Sequence, residues 1–443
     1  MKTKIDSPLR SSRLPRRRFL AGATQAALAT GLAAPLVSLS GCRAPRAPNA
    51  PRKRVAILAT EVRKHSHAQH FIDRFVEGYG WQGHHHRPPM DLVSLYVDQF
   101  PAGDLSRDRA RRRGVRIFPT IAEALTLGGP SLAVDGVLII AEHGKYPRNE
   151  KGQTLYPRFR FFRETVAVFE ASGRSVPVFN DKHLSTDWGE CTAMMRDARR
   201  LGFPFLAGSS LPVTWRMPML EFEPDTPLIE SVCVCYGGVD SYDFHGLETA
   251  QCMSERRAGG ESGVKSVLAV RGERVWAEIE RRDTTRRLVL AALTRHFTGA
   301  AEAHYTFAVP TLDWARRHCR EPVGYFYEHR DGFRTAMFLM NGVVSDFLYA
   351  GLRGDNGRIE SCQMFLPMPS QIATTADFFN PLVNNIERMI LENAAPYPAE
   401  RTWLTSGMTL FAIESLHRGQ VELPTPELNV AYGPTRASTY WRS

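Results

Sequence analysis

The chain has 443 residues, of which 43% are hydrophobic and 23% charged, enough apolar material for two globular domains. Its formal net charge of +10 is not spread along it: the first 54 residues hold twelve Lys or Arg against Asp6 alone, and the remainder is close to neutral. That distribution removes any case for a nucleic-acid partner drawn from the high pI.

The basic N-terminus reads as a leader. Arg16-Arg17-Arg18-Phe19-Leu20 matches a twin-arginine pattern, and an uncharged, Ala- and Gly-rich stretch runs from Phe19 to Cys42, as an export signal requires. An uncleaved anchor is the alternative, disfavoured by weak hydrophobicity and Pro35. Leu39-Ser40-Gly41-Cys42 has the form of a lipobox. The expectation is export through the twin-arginine machinery, lipidation at Cys42, and a periplasmic or cell-envelope location with membrane contact through the lipid anchor only. Residues 1–42 form the signal and 43–52 a Pro-containing linker. Six further cysteines, Cys191, Cys233, Cys235, Cys252, Cys319 and Cys362, permit disulfides, but burial as free thiols is the favoured reading.

From Lys53 short apolar runs alternate with helical stretches. Val55–Leu58 predicts a strand and His67–Tyr79 a helix; Leu92–Val97, Val115–Phe118 and Asp135–Ala141 predict further strands, with a charged helix at Ser106–Arg113. Helices around Arg160–Ser172 and Trp188–Leu201 precede strands at Val176–Phe179 and Pro204–Leu206. This alternation over residues 53–210 predicts a doubly wound, Rossmann-like parallel sheet. Residues 211–426 change character. Strands at Leu228–Tyr236, Val264–Val270, Phe347–Leu352 and Ile359–Phe365, and a hairpin about Arg330-Asp331-Gly332, predict an α+β domain on a mostly antiparallel sheet. Residues 427–443 read as a tail, and His84-His85-His86 as loop.

A dinucleotide-binding turn would place Gly-x-Gly-x-x-Gly after the first strand. This chain carries Ala59-Thr60-Glu61-Val62-Arg63-Lys64 there, with a carboxylate at one glycine position. Thr60, Glu61 and Lys64 are the cofactor-loop candidates, with His65, His67 and His70 around them. Asp98 ends the second strand, where an acid would meet a ribose, and Glu142-His143-Gly144-Lys145-Tyr146 follows the most apolar strand at the same sheet edge.

In order and spacing the chain from Val55 to Pro424 resembles the glucose–fructose oxidoreductase/inositol dehydrogenase/MocA (Gfo/Idh/MocA) family. Asn180-Asp181-Lys182-His183 resembles that family's strand ending in Glu-Lys-Pro, and Asp240-Ser241-Tyr242-Asp243-Phe244-His245-Gly246-Leu247-Glu248 its Asp-x-x-x-His-x-x-Asp segment. The resemblance implies Lys182, His245 and Asp240 as catalytic residues, and NAD or NADP held by Thr60, Glu61, Lys64, Asp98, Glu142, His143 and Lys182. It also implies a sugar or glycoside substrate beside Lys145, Tyr242 and Glu248, and a homo-oligomer formed through the open second sheet. His245 and Glu248 share a helix face and suit Zn, Mn or Co, but no third ligand is visible and no metal is predicted. Three functions remain: an exported NAD(P)-dependent oxidoreductase, a redox-neutral glycoside-cleaving or eliminating enzyme, and a non-catalytic carbohydrate-binding relative.

Overall fold

Apolar runs without polar interruption, such as Val55–Leu58 and Val137–Ile140, have no exposed face, so they form strands covered on both sides. The computed structural model describes residues 51–296, 310–366 and 376–441; the export signal, the lipobox and Cys42 lie outside them. Six parallel strands stand in the order Arg116–Phe118, Met90–Val97, Lys53–Ala59, Gly136–Ile140, Val178–Asp181 and Phe205–Gly208. The chain winds outward both ways from Lys53–Ala59, which sets a crevice at the carboxyl ends of the two central strands. The helix His67–Glu77 packs Phe71, Ile72 and Phe75 on one face. Helices Arg158–Ser172 and Trp188–Leu201 pack Phe161, Phe162, Val166, Cys191 and Met194 on the other.

The second sheet has eight strands, in the order Leu423–Pro424, Val264–Arg271, Arg320–His329, Arg334–Asn341, Leu228–Cys235, Phe347–Arg353, Ile359–Met364 and Arg216–Met217. All neighbours are antiparallel except Leu228–Cys235 with Arg334–Asn341. The fold is therefore α/β, a Rossmann-like parallel sheet followed by a mostly antiparallel one. Helices Asp243–Ser254 and Glu400–His417 cover the inner face with Leu247, Met253, Leu404 and Met408. All six cysteines in the described residues are free thiols.

The outer face of this sheet is not open. Three helices absent from the sequence reading, Glu273–Glu280, Asp283–Leu293 and Leu312–His318, lie over it. Trp276, Ile279, Leu288 and Val289 bury Val232, Val234, Phe338 and Leu348 there. A pairing of two copies through this face would have to displace them. Two further segments sit elsewhere than the sequence implied. The helix Asn380–Glu392 sends Leu382, Val383, Ile386 and Met389 into the core of the first domain. The tail buries Leu428 and Val430, and Tyr432 donates to Glu255 at 2.8 Å. His84–His86 is a correction: these residues are a short strand paired with Tyr79–Trp81, not loop.

Candidate active site

The segment from Ala59 to Ser66 replaces a glycine turn with a bonded path. The Thr60 and Val62 carbonyls accept from Gln99 N (2.8 Å) and Leu105 N (2.8 Å), and Thr60 Oγ1 donates to the Glu142 carbonyl at 2.8 Å. His65 supplies the one left-handed residue, at φ 64°, and its N–H goes to Gln69 Oε1 at 2.6 Å. Ser66 caps the helix by accepting from Gln69 N. The backbone donors that would meet a diphosphate are thus partly consumed by the chain itself. Glu61 is buried and accepts from Arg63 Nε at 2.6 Å, so negative charge occupies the place where the phosphates would lie. Asp98, the ribose candidate, is engaged by Tyr96 Oη (2.5 Å), Tyr146 Oη (2.6 Å) and Arg160 Nη2 (2.7 Å). Burial opposes its ionisation, but these three donors hold its pKa below the usual carboxylate value. The segment therefore lacks the open glycine turn on which a dinucleotide site is built, and its polar groups are largely engaged by the chain itself.

A strap of residues 144–157 crosses the same edge. Lys145 N donates to Gln99 Oε1 (2.9 Å) and Gln99 Nε2 returns a bond to the Lys145 carbonyl (3.0 Å). At its far end Thr154 N (2.8 Å) and Gln153 Nε2 (3.3 Å) donate to Asp240, and Lys151 pairs with Glu414. The strap therefore ties the first domain to the helices of the second.

Beneath it lies a buried charge cluster. Lys182 directly follows its strand with φ 67°, and its ammonium group lies within 3.4 Å of Glu142 Oε1 and 3.5 Å of the Ser241 carbonyl. Its Nζ also lies 6.0 Å from the centre of the Tyr242 ring. Arg158 Nη2 donates to the other Glu142 oxygen at 2.5 Å, and its Nη1 to His183 Nε2 at 3.2 Å. Burial alone would raise the Glu142 pKa, but Lys182 and Arg158 carry it well below the usual range. His183 and His245 are held neutral, mainly by burial and then by the nearest cation, Arg158 for the first and Lys182 for the second. His143 is lowered to about 3, again chiefly by burial. The Nδ1 atoms of His143, His183 and His245 and Oδ1 of Asp181 are buried without a hydrogen-bond partner, an unusual concentration for one sheet edge.

The structure brings Lys182, Glu142, His143, Tyr242 and His245 together and leaves others apart. Glu248 accepts from Ser209 N (3.2 Å), Thr402 Oγ1 (3.3 Å) and Thr405 Oγ1 (2.8 Å), so it fixes the backbone beyond Gly208. Asp240 anchors the strap; Lys145 is exposed on it, and Lys64 is exposed beyond Glu61. Among the described residues no group of three His, Cys, Asp or Glu side chains is arranged to hold a metal ion. Arg158 and the contact of His67 Nδ1 with Asp181 Oδ2 at 2.7 Å escaped the sequence reading. The His67–Asp181 pair joins residues 114 apart in the chain, and the Arg158–Glu142 pair depends on how the strap between them folds back.

No family model matches this sequence, and no curated protein does. Solved structures match in fold. GenD2 from gentamicin A biosynthesis, crystallised with NAD, superposes with a TM-score of 0.51 at 11% identity, over 87% of this chain and 99% of that one. A probable dehydrogenase from Thermotoga maritima gives 0.52 at 10% identity, over 85% and 99%. The chain has the Gfo/Idh/MocA fold. At these identities the likeness is one of architecture, and the chemistry has to be argued from the side chains.

The strap anchor generates a pH prediction. Burial, then the neighbouring Asp243, raises the Asp240 pKa from 3.8 to about 6, against the bonds from Thr154 and Gln153 and the field of Arg158. A raised acid favours the folded state most when protonated, so its contribution is full below about pH 4 and is lost as pH rises through about 6. Asp240→Asn, which keeps an oxygen for Thr154 N, is expected to flatten this part of the stability profile, a difference of at most about 3 kcal/mol. Urea unfolding of both proteins across that range checks it; an unchanged profile would remove Asp240 as the titrating group.

Proposed function

We propose that this chain is a redox-neutral acid–base enzyme acting on a sugar or glycoside, with Lys182 as its proton donor. One observation carries the reading. A buried ammonium group stands at the carboxyl edge of a doubly wound sheet, beside three neutral histidines with unsatisfied ring nitrogens. At the loop and strand end where a nicotinamide dinucleotide would be held, Glu61 and Asp98 are already bonded to Arg63, Tyr146 and Arg160. A hydroxyl-rich ligand supplies both donors and acceptors, and so matches orphaned imidazole nitrogens and an orphaned carboxylate oxygen. Glu142 and Arg158 hold the Lys182 ammonium in place, while neutral His143 and His245 orient the ligand's hydroxyls. The mild proton chemistry this requires needs no hydride acceptor.

The second reading is an NAD(P)-dependent sugar oxidoreductase with a tightly held cofactor. It is favoured by the NAD complex of the fold neighbour GenD2 and by the place of Lys182 at the end of its strand. The leader extends either reading to an exported protein, anchored in the cell envelope by lipid on Cys42. Mass spectrometry of the mature protein tests that part: an acylated N-terminal Cys42 supports it, and a chain that still begins at Met1 rejects it.

Two experiments address the chemistry. The natively exported protein, denatured and analysed by mass spectrometry, is expected to release no NAD(H) or NADP(H). Near-stoichiometric release would overturn the redox-neutral reading and establish the second. On any glycoside from a substrate panel that the wild type turns over, Lys182→Ala is expected to lower kcat by about 100-fold or more while calorimetry still detects binding. Unchanged turnover would remove Lys182 from the mechanism.

A further inference from the structure

We infer that His67 and Asp181 form the general-base dyad of this site. The inference rests on the proposed acid–base reading and supplies the proton acceptor that reading lacks. His67 opens the first helix and Asp181 ends the strand two places across the sheet. Their contact, His67 Nδ1 to Asp181 Oδ2, is 2.7 Å. The Asp181 side chain is 1% exposed and that of His67 is 18% exposed. A buried carboxylate beneath a solvent-reached imidazole is the arrangement that orients a catalytic histidine. The acid accepts from Nδ1–H and thereby leaves the lone pair on Nε2.

The surroundings fix the ring further. The His143 ring meets it edge-on at 5.4 Å, and the Phe379 ring does so at 5.1 Å from the opposite domain's sequence. The other histidines of this edge differ from it. His70, His183 and His245 are buried and kept neutral by that burial, and Arg158 already donates to the Nε2 of His183. Among the described histidines of this sheet edge, only His67 combines a hydrogen-bonded carboxylate with access from solvent; the similar pair His86–Glu387 lies away from Lys182, on the short hairpin. The dyad shares its surroundings with the proton donor: His67 and Lys182 both lie close enough to Glu142, His143 and His245 to act on their charge.

The proton balance closes within these residues. A substrate C–H proton passes to His67 Nε2, and its bonding pair forms a C=C bond to the neighbouring carbon as the C–O bond of that carbon breaks. The imidazolium that forms is paired with the Asp181 carboxylate. The departing oxygen leaves with the electrons of its C–O bond and takes a proton from Lys182 Nζ. Exchange with water then removes the proton from His67 and restores that of Lys182, so no oxidant or reductant enters.

Diethylpyrocarbonate acylates unprotonated, accessible imidazole nitrogen and needs no knowledge of the substrate. Peptide mass spectrometry of the folded protein is expected to show His67 reacting fastest among His67, His70, His143, His183 and His245. The isosteric Asp181→Asn is expected to slow His67 by roughly tenfold or more, because the ring loses its fixed tautomer. A His67 that is unreactive, or reacts equally fast in Asp181→Asn, would overturn the dyad. Should that variant fail to fold, imidazole nitrogen shifts of the wild type decide instead: a neutral Nδ1–H tautomer at His67 sustains the dyad and an Nε2–H tautomer refutes it. These readouts stand apart from the cofactor experiment. Release of NAD(P) would defeat the redox-neutral reading while His67 reactivity was still measured, and an inert His67 would defeat the dyad with Lys182 untouched.

Discussion

The arrangement at the sheet edge follows from one buried carboxylate shared by two cations. Glu142 takes Arg158 on one oxygen and Lys182 near the other, and none of the three is appreciably exposed. Removing three charges from water is costly unless each is matched at close range. The pairing leaves one positive charge in excess, and that excess explains the neighbours. Histidines placed beside it lose their protons, as burial already demands, so His183 and His245 enter the cluster as neutral rings. Asp240, a little further away, is raised by its own burial and by Asp243, which the field of Arg158 offsets only in part.

The same charge logic accounts for the altered first loop. A phosphate site works because uncapped helix N–H groups and glycine turns leave positive potential unoccupied. Here the helix start is capped by Ser66, the His65 N–H is drawn to Gln69, and Glu61 adds a negative charge matched by Arg63. Gln99, Tyr146 and Asp98 then bridge the strands on either side. Each of these is a local substitution, yet together they exchange an anion-binding crevice for a self-satisfied polar seam. The loss of glycine alone would have been weak evidence; the replacement bonds make it a coherent one.

Much of this was legible in the sequence and some was not. The strand Asp135–Ala141 and the helix Trp188–Leu201 announce themselves, because an unbroken apolar run and a capped amphipathic stretch are local properties. Lys182 and His245 were found through motif order, which reports chain position at a sheet edge. Glu248 shows the limit of that inference. Its spacing from His245 placed it on the right helix face, but whether that face meets ligand or backbone depends on Thr402 and Thr405, more than 150 residues away in the chain. The His67–Asp181 contact, across 114 residues, lay beyond reach for the same reason. The helices Glu273–Glu280 and Asp283–Leu293 are a different kind of miss. Val275 and Ile279 are four apart, and so are Leu288 and Ala292, a helical spacing that is local and legible in the sequence.

Those helices bear on the chemistry as well as on the fold. An eight-stranded sheet with one bare apolar face would need a partner to cover it, and its stability would then depend on concentration. With Trp276 and Leu288 in place, the chain covers that face by itself. The inner face is correspondingly rigid: Tyr325 on the sheet donates to Asp243, whose carboxylate also accepts from the N–H groups of Asp240, Ser241 and Phe244. That set of bonds fixes the start of the helix bearing His245 and the Ser241 carbonyl that meets Lys182. The proton donor is therefore positioned from both domains at once, by Glu142 just beyond a strand of the parallel sheet and by the Ser241 carbonyl in the turn before the helix Asp243–Ser254. A single chain whose two sheets are joined by the strap and by the helix Asn380–Glu392 can hold such a junction without help from a second copy.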